Sequence, residues 1–261
     1  MNHLRFRPEF GFRSGDKGTH TSRTMMLTEL SALMAICGPD SGREGYLVAI
    51  IEENALGKAT VSTRKLSAQR LAELYGLDRS IPIFRLLLRV WNFDPAGQAL
   101  TALLVALARD PLLRSTAASV LDLRAGQNFD REAMAEALKK ATKDRLNEAT
   151  LDKVVRNAAS SWAQSGHLEG RTFKKRMQVR PTAGPVVMAL FLGYLQGIRG
   201  PGILRSFWCQ ALDATPEVLA RIAAAASMSG LIRFRMAGDV IDVSFPDLLT
   251  ATEIKTLHES D

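Results

Sequence analysis

Five cations stand within ten residues in the stretch RTFKKRMQVRP, residues 171–181, and no acid is among them. Such a run can grip a polyanion or merely keep a loop solvated, and its internal order bears on the choice. Side chains of a strand alternate with period two. Phe173, Met177 and Val179 then share one face, with Lys175 the exception, while Lys174, Arg176, Gln178 and Arg180 share the other. This predicts a strand packed on one side and offering positive charge on the other, with Arg171 in the turn before it. The helix expected over 150–165 follows the same logic. Leu151, Val154, Val155, Ala158 and Trp162 form its core stripe, and Lys153, Arg156 or Asn157, Ser160 and Gln164 form the opposite one. Cations on that second stripe suit phosphates, and the amides of Asn157 and Gln164 suit base edges. From Leu151 to Pro181 seven Lys or Arg face two acids, a local excess of five in a chain whose total excess is seven. The charge is concentrated rather than merely abundant.

The elements that must position these residues are mostly helical. Apolar periodicity predicts helices near 27–37, 43–55, 67–76, 81–93, 96–109, 111–123, 130–146, 150–165, 182–195, 202–213 and 216–229. Asp130, Thr150 and Thr215 are the expected N-caps, the last followed by Pro216 at the first helical position. Strands are few and paired, 167–169 with 175–180 and 231–236 with 240–245. Over 129–181 the order helix, turn, helix, strand, basic turn, strand is that of a winged helix. A second helix-turn-helix is expected over 66–91, where Arg85 and Arg89 lie four apart on one exposed face and Arg79 sits in the turn; such a face can enter a major groove. The third helix-plus-hairpin, 215–249, places Arg233 and Arg235 beside Asp242, and reads as structural. The fold class expected is therefore mostly α, a multi-helix protein with winged helix-turn-helix modules and small antiparallel β-hairpins. Its divisions are a flexible leader over 1–26, an N-terminal helical domain over 27–125 and a C-terminal one over 126–261, with Met25 or Met26 an alternative beginning.

Composition narrows the function classes. The chain has 261 residues, a formal net charge of +7 and 46% hydrophobic residues, so it can bury a sizeable core and favours acidic partners. The apolar run PVVMALFLGYL (185–195) is about half of what a bilayer requires. Cys37 and Cys209 lack the CxxC spacing of a metal or redox site and read as reduced core thiols of a cytoplasmic protein. GPDSGREG (38–45) lacks the GK[ST] ending of a phosphate loop, and GIRGPG (197–202) fails the dinucleotide fingerprint. His3, His20, His167 and His258 share no ligand spacing, with His167 read as a surface residue. No Ser/His/Asp or Cys/His set can be assembled. Pro246-Asp247 followed by Glu253-Ile254-Lys255 echoes the metal-binding signature of many nucleases, but its halves are too close together to converge from adjoining strands. No cofactor and no metal is called for.

In the order of its elements and in the join RNAASSWAQSGHLEG…MQVRP, the chain resembles the BrxA family of BREX phage-defence systems over about residues 27–195. The resemblance implies a mostly helical, non-enzymatic binder of double-stranded DNA, with other defence-system proteins as further partners. A winged-helix transcriptional regulator and a protein-interaction subunit are the alternatives. The contact set expected is Arg79, Arg85, Arg89, Lys153, Arg156, Asn157, Gln164, Arg171, Lys174, Lys175, Arg176 and Arg180.

Overall fold

The segment QALTALLVALAR is apolar on every side, and a helix of that kind must be surrounded by protein. The computed structural model describes residues 6–38 and 40–259, which leaves His3 and the side chain of His258 outside the described residues. In chain order its helices are α1 (Leu27–Ile36), α2 (Arg43–Ile51), α3 (Val61–Tyr75), α4 (Pro82–Phe93), α5 (Gln98–Arg109), α6 (Pro111–Ser115) and α7 (Ala118–Leu121). There follow α8 (Arg131–Thr142), α9 (Glu148–Gln164), the hairpin β1 (Leu168–Glu169) and β2 (Lys175–Arg176), α10 (Ala183–Leu195), α11 (Phe207–Gln210), α12 (Pro216–Met228), the hairpin β3 (Arg233–Ala237) and β4 (Val240–Ser244), and α13 (Ala251–His258). The apolar segment is α5, buried from Leu100 to Arg109. It lies against the equally apolar α10, and α3, α4, α9 and α12 pack around this pair. Each Leu buried in this way contributes about 1.5–3 kcal/mol. The mostly α character with small antiparallel hairpins is as expected.

Local corrections follow from caps and breaks. Asn147, not Thr150, caps α9: its side chain accepts from Thr150 N, so the helix starts a turn earlier. Thr60 caps α3 and extends it to Val61. The helix expected over 43–55 ends at Ile51, ahead of Asn54 with φ 54°. That over 111–123 divides into α6 and α7, and that over 202–213 into a 3₁₀ turn (Gly200–Arg205) and the short α11. The C-terminal segment around Glu253, which reads as helix or tail, is the helix α13, and it opens with a capping box in which Thr250 and Glu253 satisfy each other's backbone N–H.

The largest correction concerns the leader. From Phe6 onward it is not a flexible appendage but a strap through the molecule. Phe10, Phe12, Met25 and Met26 are core residues, and Phe12 packs on Trp208 with ring centroids 5.8 Å apart. Arg109 Nη1 donates to Gly11 O (2.5 Å), Arg114 Nη2 to Arg13 O (2.9 Å), and Arg145 Nε to Asp16 (2.6 Å). Gly18 passes so near the Asp110 carboxylate that any Cβ would overlap it. The expected boundary at 125/126 also falls inside one continuous apolar core, which includes Leu103 and Leu107 of α5 together with Leu190 and Phe191 of α10.

Candidate nucleic-acid interface

The basic stretch forms a shorter strand than its alternation predicts; the alternation is inverted at Phe173, Arg176 and Met177 but holds for Gln178, Val179 and Arg180. Arg176 pairs with Leu168 across the hairpin, and Lys175 with Glu169. On the other side β2 is held by residues 126–129: Gly126 N donates to Arg176 O (2.7 Å), Arg176 N to Gln127 O (2.8 Å) and Phe129 N to Lys174 O (2.8 Å). Arg176 turns inward and is 3% exposed, whereas Phe173 is 86% exposed and Met177 lies at the surface. The Arg176 guanidinium donates to Val120 O (2.9 Å) and to Asp213 Oδ1 (2.5 Å), and Asp213 Oδ2 takes Val179 N (3.0 Å). Arg176 thus leaves the expected contact set; a buried cation whose carboxylate lies beside it has no charge to offer outside. The turn itself needs Gly170, at φ 113°, because a side chain there would overlap the Phe173 carbonyl. Lys174 Nζ returns to Gly170 O at 2.7 Å. Arg171, Lys175 and Arg180 are exposed and have no side-chain hydrogen bond or ion pair among the described residues.

On α9 the expected stripe divides in two. Lys153 and Arg156 are exposed, and Arg156 Nε lies 3.1 Å from Asp152. Arg131, at the start of α8, binds the other oxygen of the same carboxylate. Asn157 and Gln164 do not face outward. Asn157 Nδ2 donates to His20 O (2.8 Å), and Gln164 Oε1 accepts Leu27 N (3.3 Å). The two amides expected to read bases instead hold the strap in place. Because Phe129 is bonded to Lys174 and Arg131 to Asp152, the turn, the start of α8 and the first turns of α9 form one surface. Lys153, Arg156, Arg171, Lys174 and Lys175 belong to it.

The residues of the other expected helix-turn-helix, 66–91, are engaged elsewhere. Arg79 faces Asp40 at 3.1 Å on the surface. Arg85 and Arg89 do stack on one face of α4, as expected, but that face carries the C-terminal segment. Arg85 donates to Leu248 O, Arg79 O and Ser80 O and forms a 2.5 Å pair with Glu253; Arg89 donates to Pro246 O and Gly230 O. Glu253, one half of the nuclease-like echo, is therefore a helix cap and an arginine partner. Among the described residues no cluster of three His, Cys, Asp or Glu could hold a metal ion.

The constellation that sequence reasoning missed lies under the strap. His20 Nδ1 is 2.8 Å from Asp110 Oδ2, and His20 Nε2 is 2.8 Å from Ser161 Oγ. These are the partners of a hydrolytic triad. Yet His20, Asp110 and Ser161 are 0%, 1% and 0% exposed, and Ser161 Oγ already accepts Met25 N and donates to Asn157 O. A nucleophile so placed cannot reach a substrate, so the set acts as a lock. Asp110 Oδ1 caps α6 through Leu112 N and Leu113 N while Oδ2 also takes His20 N. Burial alone would raise the Asp110 carboxyl; the His20 ring and these N–H donors outweigh it and hold the pKa below the usual range. Tyr75 completes the lock by donating to Met25 O. With 90 and 141 residues separating His20 from its partners, no spacing signals this arrangement.

His167, expected at the surface, is also buried. Its ring takes Ser165 Oγ on Nδ1 and reaches Ala211 O through Nε2, and burial pulls its pKa down to about 4. Burial likewise pushes the Cys209 thiol up to about 12. Comparison with protein-family models and with curated proteins finds no match.

Proposed function

We propose that this protein binds duplex DNA without acting on it chemically, using α8, α9 and the β1–β2 hairpin as a winged-helix module. One observation carries the reading: the exposed cations Lys153, Arg171 and Lys175, with half-buried Lys174 between them, lie on segments joined by the Phe129–Lys174 and Arg131–Asp152 bonds. Arg156 adds to it beside Asp152. The binding is to the phosphate backbone. With Asn157 and Gln164 bound to the strap, the surface keeps few groups able to read base edges, which weighs against an operator-specific regulator. A place in a BREX-like phage-defence system, with other proteins of that system as partners, follows from the sequence resemblance and belongs to the same proposal.

Four phosphate contacts give a slope of roughly −3.6 for log K against log salt. Fluorescence anisotropy of a labelled duplex across a salt series measures it directly. The double variant Lys174→Ala/Lys175→Ala should lower the slope by about 1.8 at unchanged stability. A flat salt response, or unchanged affinity in that variant, defeats the proposal.

A further inference from the structure

A second cationic region lies away from this surface, and it is concave. A cleft of about 520 Å³ opens between α2, α3 and the α3–α4 turn. Its volume suits a small organic ligand. Four cations line it, Arg13, Arg43, Lys65 and Arg109, against two acids, Glu73 and Asp78. The Glu73 carboxylate is already bound by Arg70 (2.7 Å), Thr19 (2.8 Å) and Gln69 (3.0 Å), and Asp78 accepts Ser80 N at 2.9 Å. The rest of the lining is largely apolar, with Leu47, Ile51, Ala68, Leu77 and Ile81 interleaved with these charges.

Arg109 is the unusual member. It is 7% exposed, and its hydrogen bonds go to neutral carbonyls alone: Gly11 O, Ala72 O and Glu73 O. Arg114, in α6, is also carbonyl-bound, but it has the Asp110 charge near it. Arg109 has instead a second cation as its charged neighbour: Arg13 donates to the same Glu73 O at 3.3 Å. Burial, reinforced by Arg13, pulls the Arg109 pKa down to about 10. A buried guanidinium lacking a carboxylate is costly, and the negative end of α3 offsets only part of that cost. An anion seated in the cleft supplies the missing countercharge. Arg43 and Lys65, both exposed, stand at the rim where it would enter.

We propose that this cleft binds a small phosphorylated molecule with a flat apolar body, of the nucleotide class. The phosphates would face Arg13, Arg109, Arg43 and Lys65, since guanidinium forks match phosphate oxygens in pairs. The body would lie on Leu47, Ile51, Leu77 and Ile81. The cleft and the α9 surface share no residue, so the two proposals stand or fall separately.

Titration calorimetry of the full chain with ADP, and with inorganic phosphate as the bare anion, tests the site. ADP should bind with micromolar affinity, and phosphate at least tenfold more weakly. Lys65→Glu and Arg43→Ala, both at exposed positions, should each weaken ADP binding about tenfold without shifting the melting temperature. The Lys174→Ala/Lys175→Ala variant should bind ADP like the parent, which keeps this test apart from that of DNA binding. No heat with ADP at millimolar concentration overturns the proposal, as does ADP binding unchanged in both rim variants. Equal affinity for phosphate and ADP overturns the role given to the apolar lining.

Discussion

The polar network beneath the strap and the cationic surface beside the β1–β2 turn are built from the same kinds of residue and do opposite things. Beneath the strap, His20, Asp110, Asn157, Ser161 and Gln164 each meet a fixed protein partner, and His20, Asp110 and Ser161 are buried. At the surface, Lys153, Arg171 and Lys175 project with no partner among the described residues. A triad geometry that is sealed and saturated gives stability, whereas cations with unused donors are left free to meet an external anion. Residue type alone does not separate the two cases. Adjacent positions on one strand make the same point: Arg176 is locked against Asp213 while Lys175 faces solvent.

The sharpest way to break this contrast is at its most buried group. Asp110→Ala strands the His20 ring and two helix-capping N–H groups, and should destabilise the protein by about 3–5 kcal/mol in urea denaturation. DNA affinity of the folded fraction should not change. A variant as stable as the parent would show that the lock is ornamental. The pair Arg176→Ala and Lys175→Ala comes next. The first leaves Asp213 unpaired and should cost about 3 kcal/mol; the second should stay within about 0.5 kcal/mol yet weaken duplex binding. Reversed outcomes would exchange the roles assigned to these two positions.

The pH dependence of stability sharpens the contrast further. His167 has a folded pKa of about 4, below its unfolded value, so the unfolded chain takes up the proton first. Stability is therefore full above about pH 6.5 and falls by about 3 kcal/mol as pH drops toward 4. Asp110, its folded pKa also depressed, contributes stability present above its unfolded value and lost below about pH 4. His167→Gln should flatten the slope between pH 6.5 and 4 and leave the acid limb in place. Denaturation midpoints at half-unit pH intervals resolve the two limbs. The smallest effect is expected at Asp152, the acid shared by Arg131 and Arg156. Asp152→Ala should tighten duplex binding by about 0.5–1 kcal/mol, a few-fold in affinity, by releasing both arginines. Weaker binding would mean that the carboxylate positions them.

Much of the helical order was legible, because period and caps are local. The spacing of Leu151, Val154, Val155, Ala158 and Trp162 puts them inward, and all five are buried. Errors arose where the deciding contact is distant in sequence. The leader is polar and contains glycine, and nothing in its pattern shows that Asp110 and Ser161 wait to receive His20. Arg85 and Arg89 were correctly grouped on one face, but the segment covering that face begins 141 residues beyond Arg89, at Gly230. Period-two reasoning placed Arg176 outward because it assumed a longer strand; a two-residue strand between a turn and a loop obeys its partners instead. Thr250 and Glu253 carry the N-terminal signal of α13 at the spacing of a capping box, so this start is local and legible.

The strap also sets an order of events in the cell. Its residues leave the ribosome early, but Ser161 is made 141 residues after His20, a delay of about 7–28 s at ordinary rates of synthesis. Throughout that interval Phe10, Phe12 and Met25 have no complete cradle. The nascent chain must keep these apolar side chains uncovered until Ser161 and, for Phe12, Trp208 have been made. It should accordingly depend on early-acting chaperones more than the local, helical character of its later segments suggests.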